Sequence, residues 1–420
     1  MTLPPALLPQ RTLGRSGITV PAVGMGCWGI GGPDENLGLP MGWSTGASAE
    51  ASAAGLEVAW QVGARLFDTA DVYGHGRSER QIGDLVAQVP REEIVLVSKV
   101  GYFAGTAQHG FDPRHMRRQL EQSLDNLRTD HLDIYFLHHS NFGDDDRWLE
   151  PAAEAMHTFR REGLIRAVGM RGPHRFALDR LNATPDQRDD KIARFRAVFA
   201  AVQPDVLAVR DHLLSPADRS EGIFAFAAEH EVGVLINKPL AQGLLTGAYD
   251  PAAPPQFGRG DHRSRKRWFT PAAIALIAEG LKELQEVVGP RREDLIHIAL
   301  WACLDRYAHA AVLVGFTTPE QVTMNLSALG DRPPSEVISQ ARVVMGQLQE
   351  RLDAQGEVSL HRRDHEVTHV QRRGPPAAQP PARCRARDTT RPGTDADPQR
   401  PARQPRPLPA AGRLAGRAGH

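Results

Sequence analysis

The sequence predicts an α/β protein built as a (β/α)8 barrel, and two observations carry that prediction. Eight short apolar runs alternate with longer segments of helical periodicity between residues 22 and 329. The runs are almost continuously apolar, as buried parallel strands are when helices cover them. Eight such units favour a closed barrel over an open doubly wound sheet. The predicted strands lie near 22–25 and at 66–67, 94–97, 132–137, 165–168, 206–209, 232–236 and 311–314.

The segments between these runs carry the signals of amphipathic helices. Residues 112–127 place Pro113 in the first turn and repeat leucine on one face at Leu120, Leu124 and Leu127. Proline at the start is favoured because its missing N–H is one that a helix leaves unbonded. The other predicted helices cover 220–230, 271–288 and 319–329.

Charge is distributed unevenly along the chain. The 420 residues hold 50 basic and 50 acidic side chains, but residues 361–420 hold 13 Arg, no Lys and 5 acidic residues, with 10 Pro and no Phe, Trp or Tyr. Such a segment buries too little apolar surface to offset the entropy cost of ordering it. We therefore expect one barrel domain over 1–354 and a disordered tail over 355–420. A neutral appendage is the simpler interpretation of this tail, and binding to nucleic acid or to an anionic surface is the alternative.

Composition also excludes several classes of protein. Cys27, Cys303 and Cys384 are too few and too scattered for a disulfide framework or a zinc site. No apolar run approaches the roughly 18–20 residues of a membrane helix, and the first residues lack the basic region of a secretory signal. We expect a cytoplasmic protein without a metal, with neither nucleic acid nor membrane as a partner, and of undetermined oligomeric state.

Polar side chains gather at three consecutive predicted strand ends. Asp68 and Tyr73 follow the second run, Lys99 the third, and His138 and His139 the fourth. In a barrel these ends share one mouth, and at most one of two adjacent histidines points into it. A buried ammonium group lowers the pKa of a phenol, a carboxylate holds the ammonium group in place, and a neutral imidazole can hydrogen-bond a substrate oxygen. Each residue alone has an ordinary structural role, but together they suit proton delivery to a carbonyl oxygen during hydride addition.

These residues and their neighbours resemble the aldo-keto reductases. The matching stretches are FDTADVYG at 67–74, VSK at 97–99, DIYFLH at 133–138, GLIRAVG at 163–169, PLAQGLLTG at 239–247 and VLVGFTTPEQVTMN at 312–325. The resemblance runs from about Arg11 to about Leu352. It implies a TIM barrel with a short N-terminal β-hairpin at 11–20 that closes the barrel floor, and NAD(P)-dependent chemistry without a Rossmann domain.

The resemblance also implies roles for the strand-end residues. Tyr73 is the implied general acid, Lys99 and Asp68 tune it, and His138, five residues after Asp133, orients the carbonyl. The implied reaction is the NAD(P)H-dependent reduction of an aldehyde or ketone to an alcohol, with sugars and secondary-metabolite carbonyls among the candidate substrates. Trp28 is implied to line the substrate pocket, although a core aromatic is an equal interpretation.

At the implied cofactor site this sequence departs from the family. Family members usually hold the nicotinamide carboxamide with a Ser-Asn pair and a Gln and stack an aromatic ring on it. The matching residues here are Arg171, Gly172, Ala208 and Asn237. The cofactor-binding residues carried over by the resemblance are Gly26, Arg171, Asn237, Pro239, Leu240, Gln242, Gly315, Thr317, Thr318, Gln321 and Asn325.

The phosphate-binding part of that site is altered as well. Many relatives carry a cation where Thr317 or Gly315 stands, yet the resemblance still favours NADP(H) over NAD(H). The loop at 258–268 holds five cations, which either replace that lost charge or form a solvated basic loop. The extra length between Gly172 and Pro204 ends in an amphipathic stretch at 189–202, which is either a peripheral helix or a substrate lid.

Two other functions stay open beside the reductase. A changed carboxamide site also fits a redox-neutral enzyme that cycles a bound NAD(P), as in elimination or epimerisation. A non-enzymatic, cofactor-sensing subunit is the other alternative, because proteins of that kind share the family's fold. The expected partner of the leading hypothesis is a small carbonyl compound whose structure the sequence leaves open.

Overall fold

The computed structural model describes residues 8–44, 48–173, 191–215 and 217–354, with twelve strands and ten α-helices among them. The strands are β1 (Gln10–Thr12), β2 (Thr19–Pro21), β3 (Val23–Gly26), β4 (Glu35–Asn36), β5 (Leu39–Pro40), β6 (Leu66–Asp68), β7 (Val95–Val100), β8 (Leu132–Leu137), β9 (Ile165–Arg171), β10 (Val206–Arg210), β11 (Gly233–Asn237) and β12 (Ala310–Gly315). The helices are α1 (Ala49–Gln61), α2 (Arg77–Val86), α3 (Pro113–Leu127), α4 (Leu149–Arg161), α5 (Lys191–Val202), α6 (Ala217–Glu229), α7 (Pro271–Val288), α8 (Arg292–Leu304), α9 (Pro319–Ser327) and α10 (Ser335–Ala354).

Eight of these strands close into a parallel barrel, which confirms the predicted fold class. Their order around the barrel is β10-β11-β12-β3-β6-β7-β8-β9. Several strands continue past the apolar runs that predicted them, because the backbone ladder persists where the side chains become polar. Lys99 pairs with Phe136, and Arg171 pairs with Ala208. These polar extensions lie at the carboxyl ends of the strands, where a barrel carries its site.

The N-terminal hairpin closes the other end of the barrel, as the resemblance implied. Strands β1 and β2 pair antiparallel, and the turn between them inserts the fully buried Leu13 into the inner core. A Cβ atom on Gly233, the first residue of β11, would lie 2.6 Å from the Cβ of Leu13. Glycine at this position therefore lets the hairpin pack directly against the strand, and Arg15 N donates to Glu231 O at 2.7 Å.

The interior of the barrel is a packed core that sets the direction of the site residues. Leu66, Val97 and Phe136 belong to the inner core, whereas Phe67 and Leu96 pack outward against the helices. Because side chains of a strand alternate between two faces, the residue two positions after each inward-facing residue also faces inward. Because of this alternation, the polar residues at the ends of the strands point into the barrel mouth.

A second hairpin and a long loop cross above the barrel mouth. Strands β4 and β5 pair antiparallel, and a backbone bridge joins Gly42, just after β5, to Asp261 in the 258–268 loop. The backbone N and the hydroxyl of Ser44 both donate to Asp261 Oδ2, at 2.7 and 2.8 Å. The two segments therefore form one cover over the mouth.

Two expectations fall partly or wholly outside this part of the chain. The tail at 355–420 lies outside the described residues. The 172–204 segment is described only to 173 and from 191 onward, where α5 forms the predicted amphipathic helix. Among the described residues, no helix is long and apolar enough to cross a membrane.

Candidate active site

The four predicted strand-end residues meet in one cavity of about 880 Å³ at the barrel mouth. Lys99 Nζ donates to Asp68 Oδ1 at 2.8 Å and also to the carbonyl oxygen of Thr69. The same nitrogen lies 4.8 Å from the centre of the Tyr73 ring. The rings of Tyr73 and His138 are 5.9 Å apart and nearly perpendicular. A phenol thus stands between an ammonium group and an imidazole, both of which can act on an oxygen bound at the phenol.

The two adjacent histidines have different surroundings. His138 lines the cavity, whereas His139 packs behind it against Phe111, with ring centres 4.5 Å apart. His139 Nε2 donates to Gly101 O at 2.9 Å, and its Nδ1 accepts from Asn141 N at 3.2 Å. Burial lowers the pKa of His139 to about 3. His139 therefore stays neutral and has no access to a substrate.

The ionisation of the buried set follows from burial and charge. Burial raises the pKa of Asp68, although Lys99 and Arg171 act in the opposite direction. Burial disfavours the charged form of Lys99, but the attraction of Asp68 and Tyr73 outweighs it, so the pKa of Lys99 is raised. Lys99 therefore remains a cation beside the phenol at neutral pH.

The pKa of the Tyr73 phenol differs from what the sequence predicts. Lys99 and Arg171 lower the pKa of Tyr73, as expected of cations, but the larger effect of burial leaves that pKa raised. The phenol is therefore fully protonated at neutral pH, in the form that donates a proton. Cations at these positions can stabilise the phenolate that a proton transfer from this group would leave behind.

Glycine and hydroxyl residues fix the loop that carries Tyr73. Gly74 has a φ of 61°, and a Cβ atom there would lie 2.1 Å from Gly31 O, so the chain passes Gly31 only with glycine at this position. Thr69 Oγ1 donates to Ser78 Oγ, which in turn donates to Cys27 O, both at 2.8 Å. These bonds tie the Tyr73 loop to the end of β3.

Most of the residues that the resemblance assigned to a cofactor line the same cavity. Two of them hold buried polar atoms with no hydrogen-bond partner among the described residues, Arg171 Nε and Gln242 Nε2. Donors of this kind, buried at a cavity wall, fit a polar ligand such as a carboxamide or a phosphate. The other assigned residues that line it are Gly26, Asn237, Pro239, Leu240, Gly315, Thr317, Gln321 and Asn325.

Thr318 is the exception among these residues. It does not line the cavity and caps α9 instead, where its hydroxyl accepts from Gln321 N at 3.3 Å. Gln321 Oε1 accepts from the backbone N and the hydroxyl of Thr317, at 2.8 and 3.2 Å. Asn325 Nδ2 donates to Gly315 O at 3.2 Å. The side chains of Gln321 and Asn325 thus hold the turn between β12 and α9 in shape.

Most of the 258–268 loop is packed rather than solvated, although Arg259 is exposed. Arg263 is 4% exposed, and it pairs with Asp261 at 2.7 Å and covers the ring of Trp43 at 3.8 Å. Arg265 is 9% exposed and lies beside His262. Arg263 is therefore neutralised within the loop, while Arg265 brings a further cation to the cavity wall.

Sequence reasoning missed several residues of the cavity wall. Trp43 and Tyr102 line it, and nothing in their local sequence distinguishes them from other loop residues. Arg210, His212 and Lys238 line it too, at the ends of β10 and β11. These three carried a usable signal, because each lies at or just after a strand end, where a barrel places its functional side chains.

Comparison with known proteins shows the family of this chain. The model of the aldo/keto reductase family matches residues 22–342. The chain belongs to this family. An NADH-specific methylglyoxal reductase of Escherichia coli strain K12 is 26% identical over 332 residues, covering 76% of this chain and 92% of that protein. An aldo-keto reductase of Schizosaccharomyces pombe described with NADP(+) is 28% identical over 267 residues, covering 61% of this chain and 68% of that protein.

The fold of this aldo/keto reductase also matches solved structures. A glycerol dehydrogenase from Gluconobacter oxydans superposes with a TM-score of 0.61 at 22% identity, covering 80% of this chain and 95% of that one. Family membership makes the chain an oxidoreductase of carbonyl compounds. The relatives differ in the nicotinamide cofactor that their names state, so membership alone leaves the choice of cofactor open.

Proposed function

We propose that this aldo/keto reductase reduces an aldehyde or ketone to an alcohol with NAD(P)H and that Tyr73 is its general acid. The observation that carries the proposal is the meeting of Asp68, Tyr73, Lys99 and His138 in one cavity. When bound, the nicotinamide supplies a hydride to the carbonyl carbon. The side chains of the protein bind the carbonyl oxygen and supply its proton.

These side chains bind and protonate the carbonyl oxygen. His138 donates a hydrogen bond that orients the oxygen towards the Tyr73 hydroxyl. As negative charge develops on the oxygen, Tyr73 transfers its proton to it. Lys99 stabilises the phenolate that forms, and Asp68 holds Lys99 in place through the 2.8 Å contact. Both groups are in place before the reaction begins, so little reorganisation is needed.

The cofactor would lie along the residues at the ends of β11 and β12. Asn237, Pro239, Leu240 and Gln242 would hold it together with Gly315, Thr317, Gln321 and Asn325, all of which line the cavity. Arg171 Nε and Gln242 Nε2, both buried and unpartnered among the described residues, are suited to the carboxamide and the phosphates. Arg171 thus takes the place of the usual Ser-Asn pair.

NADP(H) is the cofactor we propose over NAD(H). Lys266 and Arg292 line the cavity, which supports binding of an additional phosphate despite the absence of a cation at Thr317. A fluorescence titration with NADPH and with NADH tests this choice. Tighter binding of NADPH supports it, and equal or tighter binding of NADH contradicts it.

The role of Tyr73 is tested with the variant Tyr73→Phe. Loss of a general acid lowers kcat by about 10²- to 10⁴-fold, while cofactor binding stays unchanged. Tyr307→Phe is a matched control, because the Tyr307 hydroxyl donates to Ala227 O and does not line the cavity. A Tyr73→Phe enzyme as active as the parent contradicts the proposed role. A purified protein that retains its cofactor and shows no net turnover would instead favour redox-neutral chemistry.

We also propose that the protein is cytoplasmic and that 1–354 forms its one folded domain. The free, buried thiols of Cys27 and Cys303 are compatible with a reducing compartment. Activity and melting temperature of a chain without 355–420 test the domain assignment. Loss of either property would mean that the tail contributes to the folded enzyme.

A further inference from the structure

One wall of the cavity is built around Trp28. The indole Nε1 donates to Met41 O at 2.8 Å, which fixes the ring. The ring centre lies 6.3 Å from that of Tyr73 and 5.7 Å from that of Trp43. Trp28 therefore stands beside the phenol at which we place the carbonyl group, and a substrate bound there must run along it.

Basic side chains surround this indole. Lys238 Nζ lies 4.8 Å from the centre of the Trp28 ring, and the His262 ring lies 4.9 Å from it, edge on. Arg265 Nη2 is 3.1 Å from His262 Nδ1, and Arg265 Nε donates to Pro40 O at 3.2 Å. We refer to Trp28, Lys238, His262 and Arg265 as the cationic wall. All four line the same cavity as Tyr73 and His138.

The backbone turn after β11 presents Lys238 to this wall. Lys238 has a φ of 64°, a left-handed conformation that residues other than glycine rarely adopt. Arg210 pairs in register with Asn237, the neighbour of Lys238 in the chain. The ammonium group thus lies at the ends of two adjacent strands.

Cations outnumber carboxylates along the cavity wall, although two of the cations, Arg263 and Arg267, pair with Asp261 and Asp353, which do not line it. Among the described residues that line it, ten are Lys or Arg and two, Asp68 and Glu320, are acidic. Asp68 is already bonded to Lys99, and Glu320 lies in the first turn of α9. Burial, and after it the positive charges of Arg210 and Lys238, lower the pKa of His212 to about 3. The positive charges at this side of the mouth therefore disfavour a further positive charge on His212.

We propose that the cationic wall is a subsite for an anionic group of the substrate, so that the enzyme prefers carbonyl compounds bearing a carboxylate or a phosphate. Lys238 and Arg265 bind the anion, and Trp28 packs against the carbon chain that joins it to the carbonyl at Tyr73. This inference rests on the proposed function. Hydrogen bonds between charged groups in a confined site are among the stronger ones. The other possible source of the anion is the phosphates of the dinucleotide.

Matched aldehydes test the subsite in the full-length enzyme with NADPH. Succinic semialdehyde is compared with butanal, and glyceraldehyde 3-phosphate with glyceraldehyde, by following nicotinamide absorbance. We expect the anionic member of each pair to have a kcat/KM higher by about tenfold or more, mainly through a lower KM. Equal values for the anionic and neutral members would overturn the proposal.

Variants assign the effect to the cationic wall. Lys238→Met keeps an unbranched side chain of similar volume but removes the charge. We expect it to lose about tenfold in kcat/KM for the anionic aldehyde, with little change for butanal. Lys238→Arg should retain the preference. Lys282→Met is the control, because Lys282 is exposed on α7 and does not line the cavity. Arg265→Met provides a second variant if Lys238→Met fails to fold.

Binding measurements separate this subsite from the cofactor and from the reaction itself. NADPH affinity, measured by fluorescence, should be the same in the parent and in Lys238→Met. If NADPH affinity falls as much as substrate affinity does, Lys238 binds the dinucleotide and the proposal is overturned. Succinate, which cannot be reduced, is titrated calorimetrically. If neither aldehyde of a pair is reduced, the proposed function fails, and succinate binding alone decides the subsite. Succinate binding about tenfold weaker in Lys238→Met than in the parent supports the subsite, and unchanged succinate affinity overturns it.

Discussion

Replacing Lys99 by Met removes the cation that balances Asp68 inside the barrel. Lys99 is 3% exposed and Asp68 is 7% exposed, and their contact is 2.8 Å long. Removing one partner of a buried ion pair leaves an uncompensated charge and costs about 3–5 kcal/mol of unfolding free energy. Methionine fills nearly the same volume as lysine, so the loss of packing adds little. We expect Lys99→Met to be destabilised by this amount at neutral pH.

Urea denaturation followed by circular dichroism measures the effect. The double variant Asp68→Asn/Lys99→Met is the matched control, because it removes both charges and should recover most of the stability. A cost below about 1 kcal/mol, or one equal to that of the double variant, would refute the charge-based reasoning.

The dependence on pH gives a second check of the same variant. Burial already raises the pKa of Asp68 in the parent, and without Lys99 that pKa rises further. A carboxyl group with a raised pKa in the folded state stabilises the fold at a pH below its unfolded pKa of about 3.9, and this contribution is lost as the pH rises through the folded value. The deficit of Lys99→Met should therefore shrink in acid and grow towards neutral pH.

Two further predictions concern the barrel interior and a buried histidine. In Gly169→Ala the added Cβ atom would lie 2.6 Å from the Phe136 ring, so we expect urea denaturation to show a free energy of unfolding lower by about 1–3 kcal/mol. Gly222→Ala is the control: nothing lies within 4 Å of its added Cβ atom, so this variant should be neutral or stabilising. Equal effects of the two substitutions would contradict the overpacking argument. Burial lowers the pKa of His139 to about 3, so the unfolded chain takes up this proton first as the pH falls from about 6.5 towards 3. Over that range His139 alone lowers the free energy of unfolding by about 1.4 kcal/mol per pH unit, and His212, with a pKa also of about 3, adds to the slope in parent and variant alike. His139→Gln should show a shallower loss of stability over that range, and identical pH profiles would be inconsistent with a buried neutral imidazole.

The strands were predictable because their physical signal is local. The run at 132–137, apolar apart from Asp133, corresponds to β8 without change, because the whole strand is buried between the core and the helices. At β9 the apolar run ends at Val168, but the strand continues to Arg171. Hydrogen bonds to β8 and β10 hold those last residues in the ladder, and the sequence carries no local sign of that pairing.

The 258–268 loop shows the limit of local reasoning on charge. Its five cations in sequence are equally consistent with a solvated loop and with a phosphate-binding one. In the fold, Arg263 is held by Asp261 and covers Trp43, while Arg265 reaches the cavity near Pro40. Both partners, Trp43 and Pro40, lie more than two hundred residues earlier in the chain, so only tertiary packing determines the role of each cation.

By itself, the sequence predicted the barrel and placed Asp68, Tyr73 and Lys99 at strand ends, because strand periodicity and the ends of strands are local properties. The choice of His138 over His139 came from the family resemblance. Only the tertiary structure decided how these groups are ionised, since burial raises the pKa of Tyr73 against the effect of Lys99. It also decided that Lys238 stands over Trp28, a contact between the ends of two different strands. Burial and long-range contacts depend on the closure of the barrel, and that closure brings together side chains that are far apart in the sequence.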